Sequence, residues 1–196
     1  FDGEPNDHFV FISHYKVEAG TEATLIRDLF EQVLRHDPLH PAHNLMSPVF
    51  VDSEDLEDLA CLQDHVKKSS NLLLLLTPGF LSRPWCLLEI IIALRSGVDI
   101  IPVEIQRPGL RYQFPDEEFY ARLLNGKFLD DSATDLLYSQ GIQLREVEQA
   151  IRQVFNKIAA HFSPHKTKQV REAELADILK RCSRTCHSGS VLRPSV

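Results

Sequence analysis

Cysteine is scarce in this chain and badly spaced for cross-linking. Its 196 residues hold four cysteines, Cys61, Cys86, Cys182 and Cys186, scattered rather than arranged as a framework. That excludes a disulfide-stapled scaffold and suits a reducing cytosol, so a cytoplasmic location is expected. Long apolar runs are missing as well. The longest is far too short to span a bilayer, so no membrane span is expected. No signal peptide is visible. The chain starts at Phe1 rather than Met, so a piece of a longer or trimmed protein is expected. Familiar catalytic signatures are absent too. There is no G-x-G-x-x-G or G-x-x-x-x-G-K-[ST] phosphate loop, no G-x-S-x-G nucleophile elbow and no H-E-x-x-H. Cys182, Cys186 and His187 form a C-x3-C-H cluster, but no second ligand pair accompanies it, and tetrahedral zinc sites need both. No metal is expected.

Charge is unevenly spread. The net value is −7, from 21 basic and 28 acidic residues. Residues 163–196 hold seven basic and three acidic side chains, a balance of +4, which leaves the rest at −11. An acidic body argues against nucleic acid as the main partner. The basic tail reads as a solvated helix and linker.

Strands and helices alternate along the chain. Phe9 to Ile12 is a short apolar run that reads as a buried strand with a polar exit at Ser13-His14. From Thr21 to His36 apolar residues recur at helical spacing. Asp37 to Pro48 holds three prolines and reads as a loop. Val49 to Val51 forms a second strand ending at Asp52-Ser53. An acidic loop, Glu54 to Asp58, leads to a helix that runs to about Lys68. Leu72 to Leu76 is a run of five leucines. Its shortness, with Thr77-Pro78-Gly79 after it, predicts a central buried strand. The next helix ends near Gly97, a natural stop. Val98 to Ile105 reads as a fourth strand, with Pro102 hinting at irregularity or an edge. A short helical piece is expected around Glu117–Leu124, a fifth strand at Lys127-Phe128-Leu129, and a final amphipathic helix over Val147–Phe162. Ser163-Pro164 then breaks the chain, so residues 7–162 are expected to fold without residues 163–196. Within that extension, Val170–Arg181 reads as one further helix outside the core, whose apolar stripe of Val170, Ala173/Leu175 and Ile178/Leu179 is expected to pack on the body or on a second copy, with a disordered end over 187–196.

This alternation predicts an α/β, flavodoxin-like, doubly wound parallel sheet of about five strands with a C-terminal helical extension. Ligands of such sheets sit beyond the carboxyl ends of the strands. Those ends gather Ser13, His14, Tyr15, Lys16, Asp52 and Thr77 at one rim. A bacterial receiver domain would share that rim, but its lysine belongs on the fifth strand facing the acidic cluster, and Lys127 starts that strand instead. In the helix after the five leucines, Trp85, Cys86 and Glu89 fall at spacings of three and four, on one face. A carboxylate beside an indole and a thiol in apolar surroundings is partly desolvated and can act on a ligand. The plainer alternative makes Glu89 the solvent-facing position of a buried helix.

These motifs resemble a known family. Phe9 to His14 is similar to box 1 of Toll/interleukin-1 receptor (TIR) domains. Phe50 to Glu57 resembles the strand and loop that follow in those domains. Leu76 to Ser82, with the W-C-x-x-E-[IL] segment from Trp85 to Ile90, resembles the third strand and its helix. The likeness runs over roughly residues 7–162 and is nearest to TIR domains that cleave NAD, including the animal NAD hydrolase of axon degeneration. It implies an NAD+ nucleohydrolase, with NAD as substrate and no cofactor, active through self-association with other TIR domains in immune or cell-death signalling. It implies Glu89 as the catalytic carboxylate. Ser13, His14, Tyr15 and Lys16 after box 1, Asp52 and Glu57 in the acidic loop, and Trp85 are implied as substrate-binding residues. The alternative is a non-catalytic TIR adaptor that acts by TIR–TIR contact. One departure stands out. The L-E-x-G pattern of the group reads Leu56-Glu57-Asp58-Leu59 here, without the glycine that frees the backbone of this assembly loop.

Overall fold

Five leucines with no polar alternation cannot sit at a water-facing edge, and they do not. In the computed structural model, which describes residues 8–51, 59–109 and 111–182, they lie in β3 (Ser69–Leu76), a strand buried along its whole length. The sheet has five parallel strands in the order β2-β1-β3-β4-β5. The others are β1 (His8–Ser13), β2 (Val49–Val51), β4 (Asp99–Ile105) and β5 (Ala160–Phe162). This is the flavodoxin-like doubly wound order. Leu72, Leu74 and Leu76 face one helical layer, and Leu73 and Leu75 the other. Each buried leucine contributes about 1.5–3 kcal/mol of transfer free energy.

One layer holds α2 (Leu59–Lys67), α3 (Pro84–Ser96), α4 (Glu117–Leu124), α5 (Asp131–Ser139) and α6 (Leu144–Phe155). The other holds α1 (Lys16–His36) and α7 (Lys168–Arg181). No helix among the described residues is long and apolar enough to cross a membrane. Helix α3 starts with Pro84 in its first turn and stops at Gly97, whose left-handed φ of 71° forms the C-terminal cap. Pro102 lies inside β4, where its missing N–H would cost a ladder bond to one neighbouring strand. It pairs with Leu74 of β3, while pairing with β5 begins only at Val103, so the proline falls on an uncovered stretch.

Four expectations are corrected. Helix α1 starts at Lys16, not Thr21, because a kink at Ala19 hides its first turn from the apolar periodicity. The fifth strand is Ala160–Phe162, and residues 127–129 are irregular. The amphipathic helix ends at Phe155, once its stripe of Val147, Ala150, Ile151 and Val154 is complete. Between them, α5 begins at an Asp130 cap, whose carboxylate accepts the Ala133 N–H at 2.7 Å.

The fourth correction concerns the last helix, expected outside the core. Leu175 and Ile178 of α7 and the following Cys182 are buried in the same cluster as Leu73, Leu75 and Phe162. Burial pushes the Cys182 thiol up to about 12, so it is a core thiol. Cys186 and His187 of the C-x3-C-H cluster lie outside the described residues. Glu174 fastens α7 to the chain leaving β5. Its carboxylate accepts the Ser163 N–H at 2.7 Å and the Ser163 hydroxyl at 2.8 Å. Leu175→Ala and Ile178→Ala are each expected to cost about 2–5 kcal/mol, the range for emptying a packed core site. Removal of residues 164–196 is expected to lower the melting temperature sharply. Thermal unfolding of the three proteins checks this, and an unchanged melting temperature would return α7 to the status of an appendage.

At the amino end of the sheet, the His8 ring lies 2.7 Å from the Ser47 carbonyl and 3.1 Å from His65 Nδ1, and His65 stacks on Phe50. Burial, and then the neighbouring His8, hold the His65 pKa below its ordinary 6.5. The unfolded chain therefore binds more protons at this site just below pH 6.5. Its contribution to stability is lost as pH falls from there through the lowered pKa. The denaturant midpoint should fall on acidification, and should fall less in His65→Gln. Parallel curves for the two proteins would remove the pair from the pH response.

Candidate functional site

The rim at the carboxyl ends of the strands is built from β1, β3 and the loops that leave them. Ser13 closes β1 and is fully buried, and Thr77, just past β3, is 1% exposed. Both hydroxyls are buried without a hydrogen-bond partner among the described residues. Buried polar groups are rarely left so. His14 and Tyr15 are half-buried, and Lys16, the first residue of α1, is exposed. Asp52 and Glu57 lie outside the described residues.

Helix α3 meets this rim with its first two turns. Trp85 is half-buried and packs against the core cluster, and Cys86 is buried, its Sγ–H donating to the His14 carbonyl at 3.7 Å. Glu89 lies one turn further along the same face and is 2% exposed. The plain alternative, a solvent-facing carboxylate on a buried helix, does not hold. Glu89 is the one charged side chain between Pro84 and Leu94, and its neighbours on both sides are apolar and buried. A carboxylate in that setting costs free energy unless it is compensated, so solubility does not account for it. The Cys86–His14 contact ties the first turn of α3 to the chain leaving β1, and Glu89 follows Cys86 by three residues on that helix.

A second cluster carried no sequence motif. Glu18, in the first turn of α1, accepts the Gly79 N–H through Oε2 at 2.9 Å. Arg83 lies over the Tyr15 ring, 4.8 Å from its centroid, a cation–π contact. Gly79 has an ordinary φ of −86°, so the glycine is needed for space rather than for backbone freedom. A Cβ there would lie 2.8 Å from Glu18 Oε1 and 3.0 Å from Tyr15 Cδ1. Tyr15 is thus held between Gly79 and Arg83. Behind it, Arg107 forms an ion pair with Glu22 and donates to the Glu18 carbonyl.

Among the described residues no group of three or more His, Cys, Asp or Glu side chains could hold a metal ion. No protein-family model matches the chain, and no curated protein matches it in sequence. Among solved structures it is similar to the TIR domains in the structure of the activated Roq1 resistosome directly recognizing the pathogen effector XopQ. The TM-score is 0.48 and the identity 16%, over 87% of this chain and 96% of that one.

Gly79→Ala is expected to destabilise the protein by about 1–3 kcal/mol, the cost of forcing extra volume into a packed contact. The Tyr15 ring must shift with it. Denaturant unfolding checks the first and the NMR shifts of the Tyr15 ring the second, and a wild-type midpoint with unchanged Tyr15 shifts would show that the loop gives way freely.

Proposed function

We propose that this chain is a TIR-type NAD+ nucleohydrolase. It cleaves the bond between nicotinamide and ribose, giving nicotinamide with ADP-ribose or cyclic ADP-ribose. The observation that carries the reading is Glu89, a carboxylate buried at the strand-end rim within a W-C-x-x-E segment. In this reaction the nicotinamide nitrogen departs with the bonding electron pair and becomes neutral, so it needs no proton from a general acid. The ribose carbon is left with oxocarbenium-like charge. A fixed carboxylate stabilises that charge more than it stabilises the bound substrate, and that difference accelerates the step. Water, or an adenine nitrogen for the cyclic product, then takes the ribose carbon; in the hydrolytic case water also gives up a proton.

The rim residues have matching tasks. Ser13 and the exposed Lys16 offer a hydroxyl and a cation to the ribose and pyrophosphate. His14 fixes the position of Cys86 through its carbonyl. Trp85, half-buried against the core cluster, anchors α3 and offers its ring to the nicotinamide. Asp52 and Glu57 belong to the same proposed site on sequence grounds alone. Tyr15 is better suited to holding Arg83 and the β3–α3 loop than to free stacking, because its ring already has both as neighbours. Self-association with other TIR domains in immune or cell-death signalling completes the proposal.

Glu89→Gln keeps the size and polarity of the side chain. It should retain the fold and still bind NAD, while nicotinamide release falls about 100-fold or more, as when one electrostatic stabiliser is removed. The assay is nicotinamide release at matched high concentration with forced clustering, with melting curves alongside. No release from the wild-type chain would sink the enzyme reading and leave the non-catalytic adaptor. Equal rates in both proteins would take Glu89 out of the chemistry.

A further inference from the structure

A cleft on the β3–β4 side of the rim is lined by residues that the proposed reaction does not use. Its volume is about 720 Å3, within the range of small-molecule sites. Pro78 and Leu81 of the β3–α3 loop line one part of it, and Tyr112, Phe114, Phe119 and Arg122 line others. The rings are fixed against one another. Tyr112 and Phe114 meet edge to face at 5.0 Å between centroids, and Phe119 meets Phe128 at 4.5 Å. Phe114 is nonetheless 48% exposed, an aromatic ring held open beside a cavity. Tyr112 is 4% exposed, and its hydroxyl is buried without a hydrogen-bond partner among the described residues. Burial pushes its phenol up, so it stays protonated and remains a donor.

Charge is arranged at the end of this cleft. Arg111 lines it and also lines an adjoining cleft of about 630 Å3 with Gln106, Arg107, His165 and Lys166. Arg107 is already paired with Glu22, and Glu104, the carboxylate common to both clefts, lies 3.2 Å from His161. Arg111 and Lys166 make no ion pair or side-chain hydrogen bond among the described residues. Two uncommitted cations therefore stand where an aromatic cleft opens into a basic one.

We infer that the two clefts form one binding site for a nucleotide. The base sits among Phe114, Tyr112 and Phe119, where a flat ring gains most from stacking. The phosphate lies at Arg111 and Lys166, the arginine offering its planar fork of donors. This site is separate from Glu89 and does not depend on NAD cleavage, although the β3–α3 loop borders both.

The test is calorimetric titration of the full chain with AMP, adenosine and inorganic phosphate, in wild type, Arg111→Glu, Phe114→Ser and Arg145→Glu. Arg111, Phe114 and Arg145 are exposed, so the fold should survive, as melting curves will verify. AMP should bind saturably, about tenfold or more weaker in Arg111→Glu and in Phe114→Ser, and unchanged in Arg145→Glu, a cation that lines neither cleft. That scale corresponds to the loss of one charge-assisted contact. Adenosine should be insensitive to Arg111→Glu. No AMP binding by wild type at millimolar concentration would overturn the inference, as would binding indifferent to Arg111 and Phe114 or abolished by Arg145→Glu. Phosphate alone binding as tightly as AMP would reduce the site to an anion site and overturn the nucleotide assignment. Failure of NAD cleavage is read separately, from nicotinamide release.

Discussion

The strand β3 has no face to show to water, and the rest of the structure follows from that. A strand apolar on both sides needs strands on both edges and helices on both faces. Parallel neighbours supply the first, and crossover helices supply the second as a by-product of the connectivity. The chain then has no choice about where its polar loops go. They emerge at the carboxyl ends of the strands, at the rim where Ser13, Thr77 and the start of α3 meet. The site is where it is because five leucines had to be covered.

At that rim the structure accepts a local cost. A pair of buried hydroxyls, Ser13 and Thr77, stand without hydrogen-bond partners among the described residues. That does not help folding. The loop between β3 and α3 is by contrast tightly held, by Glu18 on the Gly79 amide and by Arg83 on Tyr15. Frustration at the rim beside a rigid supporting loop is the pattern of a binding site held on a stable frame.

What could be read from the residues depended on how local the signal was. The five leucines, the Gly97 stop and the W-C-x-x-E face are each written within one element, and each was legible. Strand β5 was not, because Ala160-His161-Phe162 is too short to show alternation and gains strand character only from its pairing with β4. Helix α7 read as an appendage because its buried residues are few, and only the uncovered face of the sheet explains where they go. Glu89 was legible as a candidate, but its burial was not, since helical periodicity cannot tell which sides of an all-apolar helix are covered. The Gly79–Tyr15–Arg83 contact and the Tyr112 cleft join residues from distant segments, and nothing in a one-dimensional pattern marks them.

The lateness of α7 has a consequence for how the protein is made. On the α1 side, the sheet is completed by β5 and α7, the last described elements to leave a ribosome. Until they arrive, Leu73, Leu75, Ile101 and Val103 are covered on that side by α1 alone. A nascent chain stalled before residue 160 would carry an open apolar face and an unpaired β4 edge, the two features most prone to stick to other chains.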